Sequence, residues 1–140
     1  MTCIKAGWRF PGEVETVGRA RELLRTALGA HLTGHELYAV LLAATELSTN
    51  AIRHSNSGRP GGWYALAVEA DVDTVRVAVA DEGGEEEPQV AVAESLEDLD
   101  AEGGRGLGTL ALLGSVGWAG GPNGRRVWAD LPVGAIGGAR

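Results

Sequence analysis

Glu46-Leu47-Ser48-Thr49-Asn50-Ala51-Ile52-Arg53-His54-Ser55 is the stretch on which the reading of this chain turns. Glu46 and Asn50 are four positions apart, so on a helix they project from the same side, one turn from each other. Around them Leu37, Leu41, Ala44, Ser48 and Ile52 recur at helical spacing as one buried stripe, widened by Val40, Leu47 and Ala51. Thr33 followed by Glu36 has the form of a capping box, which predicts a helix beginning around 33–36 and running to about His54. It should break in Asn56-Ser57-Gly58-Arg59-Pro60-Gly61-Gly62. Glu46 and Asn50 border the stripe, at the edge of the core, where a pocket can open. An Asn amide oxygen suits Mg²⁺, which prefers oxygen ligands, and a nearby carboxylate can accept a proton. Taken alone, the pair reads first as solvent-facing side chains of an amphipathic helix.

Upstream, Gly7-Trp8-Arg9-Phe10 predicts a short strand ended by Pro11-Gly12. From 13 to about 28, Val14, Val17, Ala20, Leu23, Leu24, Ala27 and Leu28 predict an amphipathic helix, with Glu13 and Glu15 in its first turn and Gly29 after its end. Downstream, residues 63–70 and 74–80 predict an antiparallel hairpin about Asp71-Val72-Asp73, with Val75, Val77 and Val79 on the buried face. From Glu82 to about Gly104 the chain turns strongly acidic, with little buried pattern beyond a short helix predicted from about Ser95 to Asp100. Long loops inside compact domains are usually functional lids or disordered segments. A compact apolar helix over 107–113 follows, then strands over 115–118 and 126–131 joined by Gly120-Gly121-Pro122-Asn123-Gly124.

Two further features carry chemistry. Asp81 ends the second strand of the hairpin and precedes Glu82-Gly83-Gly84. A carboxylate there can accept the exocyclic amine of adenine, and glycine lets a ring lie close to the backbone; a simple turn uses the same residues. Gly103-Gly104-Arg105-Gly106-Leu107-Gly108 leads into the helix that follows, and backbone N–H groups converging at a helix N-terminus suit phosphate. The run does not follow a strand directly within a βαβ unit, which rules against a Rossmann dinucleotide site.

Their order is more specific than any one of them. Residues 46–55 resemble the N box of the gyrase/histidine-kinase ATPase superfamily, Asp81-Glu82-Gly83 its adenine-binding box, and Gly104-Arg105-Gly106-Leu107-Gly108 its second glycine box. The resemblance covers nearly the whole chain and is nearest to the small stand-alone anti-sigma-factor serine/threonine kinases and their bacterial regulatory relatives. It implies an α+β two-layer sandwich of the Bergerat ATP-binding type, with helices on one face of a mixed, mainly antiparallel sheet. It implies ATP and Mg²⁺ as cofactors, Glu46 as catalytic base or water-positioning carboxylate, and Asn50 as the metal ligand. Asp81 would bind the adenine amine with Gly83 beside the ring. Gly104, Arg105, Gly106, Leu107, Gly108 and Thr109 would face the phosphates. Arg53 and His54 lie one turn further along the helix, Arg53 being the better placed for phosphate. The superfamily's adenine box often reads Asp-x-Gly-x-Gly, whereas the final position here is Glu85.

Composition bounds these readings. At 140 residues and 44% hydrophobic content the chain suits one globular domain, taken as residues 1–133 with a loose tail over 134–140. A net charge of −7, with Lys5 the only lysine, argues against direct nucleic-acid binding. A single cysteine, Cys3, and no apolar run of membrane-spanning length point to a cytoplasmic protein. The resemblance then implies a protein kinase that phosphorylates or sequesters a partner, a sigma factor or an anti-anti-sigma antagonist, and leaves room for a homodimer through the N-terminal strand and first helix. The alternative is an ATP-binding partner-switch module without significant kinase activity.

Overall fold

The computed structural model describes residues 3–88 and 106–134. Its strands are β1 (Ile4–Pro11), β2 (Trp63–Ala70), β3 (Thr74–Asp81), β4 (Ser115–Gly121) and β5 (Gly124–Pro132), and its helices α1 (Thr16–Leu28), α2 (Gly34–His54) and α3 (Gly106–Leu113). A single 3₁₀ turn, Asn56–Gly58, follows α2. The strands form one sheet in the order β1-β2-β3-β5-β4, and each of the pairings described is antiparallel. The helices pack over one face, so the architecture is the expected α+β two-layer sandwich.

The register explains the core. Trp8, Leu66, Val79, Val127 and Trp118 stand opposite one another in a row across all five strands. Ala6, Val68, Val77, Ala129 and Val116 form the next row, and Ile4, Ala70, Val75 and Leu131 a third. Period-two alternation places all of these on the helix-covered face, where α2 contributes Val40, Ala44, Leu47 and Ala51 and α1 contributes Ala20, Leu24 and Leu28, each fully buried. Each large aliphatic side chain so buried stabilises the fold by about 1.5–3 kcal/mol relative to exposure. The apolar stripe of α2 is therefore centred one position away from the predicted line: Leu41, Ala44 and Ser48 are buried, but Leu37 and Ile52 lie at its margin.

Local signals behave as their chemistry requires, with corrections at the ends. The capping box is complete: Thr33 Oγ1 accepts from the Glu36 amide at 3.2 Å, and the Thr33 amide donates to Glu36 Oε1 at 2.9 Å. Glu13 and Glu15 are not in the first turn of α1, which begins at Thr16 after a turn. That turn is closed by Thr16 Oγ1, which donates to the Glu13 carbonyl at 2.7 Å, a local alternative to helix. α3 begins at Gly106, so Gly106 and Gly108 lie inside its first turn and not ahead of it. The predicted strands over 7–10, 115–118 and 126–131 lie within longer ones, because pairing with a neighbour continues past the apolar pattern. Residues 89–105 of the acidic segment, with the predicted helix over 95–100, and nearly all of the predicted tail lie outside the described residues.

Candidate functional site

α2 lies over β3 and packs against α3, so the three predicted boxes belong to neighbouring elements. Glu46 and Asn50 are half-buried on the margin of the α2 core stripe, and Arg53 continues that face into solvent. Burial pushes the Glu46 carboxyl above the usual carboxylate range, and the positive charge of Arg53 opposes part of that rise. A carboxylate held this way is a stronger base than one in water. Among the described residues the Asn50 side chain makes no hydrogen bond, which leaves its amide oxygen uncommitted there. His54 turns elsewhere: its Nδ1 stands 3.2 Å from Glu86 Oε2, an exposed pair tying the last turn of α2 to the loop after β3.

Asp81 is buried at 4% exposure. It falls in phase with Val75, Val77 and Val79, so the alternation that buries those valines also carries its carboxylate to the covered face. Burial raises its pKa above the usual value. The hydrogen bond from the Gly83 amide to Oδ1, at 2.6 Å, and the charge of Arg125 oppose the rise, and Glu82 adds to it.

The backbone after Asp81 is pinned on several sides. The Glu82 amide donates to Ser57 Oγ at 2.9 Å, and Glu82 Oε2 accepts from the Trp63 amide at 3.1 Å. The Asn56 amide donates to the Gly83 carbonyl at 2.7 Å. Gly83 has φ +76° and lies so close to the β4–β5 turn that a Cβ would sit 2.3 Å from the Gly121 carbonyl oxygen and 2.6 Å from the Gly124 nitrogen. Only glycine satisfies both demands. The exit of α2, the exit of β3 and the β4–β5 turn thus meet at this point.

The sequence matches the model of the histidine kinase-like ATPase domain over residues 10–129. The chain belongs to that family. It is thereby an ATP-binding domain of the histidine-kinase-like superfamily, whose members generally bind ATP with Mg²⁺. The solved structure of the RsbU and RsbW domains of Rv1364c from Mycobacterium tuberculosis matches with a TM-score of 0.61 at 18% identity. The match covers 95% of this chain and 33% of that one, so the present sequence spans about a third of that length. At this identity the likeness establishes a shared fold. Among curated proteins none matches significantly.

In this ATPase domain the predicted residues divide into three groups. Glu46, Asn50 and Arg53 share one side of α2, and Asp81 and Gly83 form one hydrogen-bonded unit below it. Gly106, Leu107, Gly108 and Thr109 belong to the first turn of α3, with the Leu107 side chain buried in the core. Gly104 and Arg105 lie outside the described residues. Among the described residues no group of three or more His, Cys, Asp and Glu side chains is placed to hold a metal, whereas a Mg²⁺ that arrives with phosphates and water needs few protein ligands. No helix of the described residues is long and apolar enough to cross a membrane.

Two residues at this end of the sheet escaped the motif reading. Ser57, which holds the Glu82 amide, gave no signal beyond its place in a loop. Arg125 did give one: it falls in phase with the apolar residues Val127, Ala129 and Leu131, and is accordingly buried.

Proposed function

We propose that this ATPase domain is an ATP-dependent serine/threonine protein kinase of the anti-sigma-factor type, acting on a protein partner in bacterial transcription regulation. The observation that carries the reading is Glu46: a half-buried carboxylate, raised in pKa, on the same helical side as an amide whose oxygen is uncommitted. In this reading Asp81 accepts a hydrogen bond from the adenine amine, and Gly83, lacking a side chain, lets the ring lie against the backbone. Arg53 and the segment 104–109, whose last four residues open α3, hold the phosphates through charge, backbone N–H groups and the helix dipole. Asn50 holds Mg²⁺ through its amide oxygen, and the ion when bound neutralises charge on the phosphates.

Transfer is then an in-line displacement. The hydroxyl oxygen of a partner serine or threonine bonds to the γ-phosphorus, and the bond to the bridging oxygen of ADP breaks. The hydroxyl proton passes to the Glu46 carboxylate. A raised pKa keeps that carboxylate basic. We place the protein in the cytoplasm and take the partner to be a sigma factor or an anti-anti-sigma antagonist. We extend the domain over residues 1–133 and leave a homodimer through β1 and α1 open to measurement.

The test has two parts. Calorimetric titration with Mg·ATP should give binding in the wild type and weaker binding in Asn50→Ala; equal binding in both removes the site assignment. A phosphotransfer assay with γ-labelled ATP and a candidate antagonist should then label serine or threonine. Binding without transfer leaves a nucleotide-responsive partner switch.

A further inference from the structure

Arg125 stands in register with Asp81 across β3 and β5, and its side chain lies on the helix-covered face at 6% exposure. Its Nη2 donates to the Gly84 carbonyl at 2.9 Å, the backbone of the loop that follows Asp81. Its guanidinium carbon sits 5.7 Å from the centre of the Trp118 ring. Yet Nε is buried without a hydrogen-bond partner, and among the described residues the guanidinium forms no ion pair. Its charge nevertheless acts on the Asp81 carboxyl. A buried cation short of one acceptor is an expensive arrangement. Nothing in the packing of β5 requires it, since Val127, Ala129 and Leu131 fill the same face with apolar atoms.

We infer that Arg125 is a base-binding residue: its Nε–H donates to a ring nitrogen of adenine beside the amine that Asp81 accepts. This rests on the reading of Asp81 given above. Adenine presents its exocyclic amine as a donor flanked by two acceptors, N1 and N7. A carboxylate next to a guanidinium complements a donor next to an acceptor. The acceptor that Nε lacks is then supplied by the ligand. The phosphates are held elsewhere in that reading, at the α3 and Asn50 end, so Arg125 addresses the base.

The experiment is titration of the wild-type chain with Mg²⁺ complexes of ATP, 1-deaza-ATP and 7-deaza-ATP, repeated on Arg125→Met and Asp81→Asn. One deaza analogue should bind the wild type about tenfold more weakly than ATP, as expected for a hydrogen bond to a charged group. Arg125→Met should lose the same factor for ATP and nothing further for that analogue. Without ligand, Arg125→Met should melt no lower than the wild type, because an apolar side chain replaces an under-satisfied cation. Both deaza analogues binding the wild type as ATP does overturns the proposal, and needs no variant to fold. If in addition Asp81→Asn alone weakens ATP, the adenine site stands and only the role of Arg125 is lost. Failure of the wild type to bind any of the three nucleotides overturns both readings together.

Discussion

The Gly83 amide donates to Asp81 Oδ1 at 2.6 Å, so the carboxylate that ends β3 also folds the loop after it. One oxygen is thus given to the turn, and the carboxyl is buried enough that its pKa lies above the usual range. For an acid with a raised folded pKa the native state holds more protons than the unfolded chain between the two values, so stability falls as pH rises through that window. Asp81→Asn should therefore flatten the stability profile from about pH 4 upward, read as Tm against pH. In the wild type, ATP affinity should fall as pH drops through the raised value, because only the ionised carboxylate accepts without competing as a donor. A titration series across that range checks it; affinity independent of pH there would remove Asp81 from base recognition.

Glu46 gives a kinetic prediction. Glu46→Gln retains the shape and loses the base, so ATP binding should persist while phosphotransfer falls by about 10²–10⁴-fold. The wild-type rate should rise with pH through the raised pKa of Glu46, and that limb should vanish in the variant. Single-turnover rates measured alongside binding separate the two effects.

Arg53 and His54 are adjacent in sequence but not equivalent in space. Arg53 acts on Glu46, whereas His54 is paired with Glu86. Arg53→Ala should weaken ATP, with a loss that shrinks as salt is raised, and His54→Ala should leave affinity unchanged. Stability should change by no more than about 1 kcal/mol in His54→Ala, since the pair is exposed. Parallel titrations and urea melts decide the matter.

Gly83→Ala should be severely destabilising. A Cβ there meets the Gly121 and Pro122 carbonyl oxygens and the Gly124 nitrogen, all backbone atoms, at a positive φ that alanine disfavours. The conformational strain alone is worth about 1–3 kcal/mol, and the collisions require the β4–β5 turn to move. Gly61→Ala also meets a positive φ, but in open space, and serves as the control for strain without collision in a urea unfolding comparison.

Thr33→Ala removes one half of a complete capping box at the start of α2. Loss of about 1 kcal/mol is expected, read as a shift in the urea midpoint with an unchanged slope.

The sequence by itself determined what depends on local periodicity and on motif order. The helix α2, the capping box and the β2–β3 hairpin were legible because each rests on residues a few positions apart, and the succession of Glu46, Asn50, Asp81 and the glycine run because it is an order along the chain. Element ends were less so: α1 starts at Thr16 since a side-chain hydrogen bond closes a turn that acidic residues alone do not reveal.

Tertiary structure decided everything that needs two distant segments at one place. Gly83 meets the β4–β5 turn, His54 is claimed by Glu86, and Arg125 arrives beside Asp81 through the pairing of β3 with β5. The stretch 46–55 told which helix to watch. Only the sheet register could show which charged side chain shares the buried end of β3, because register joins residues that sequence distance keeps apart.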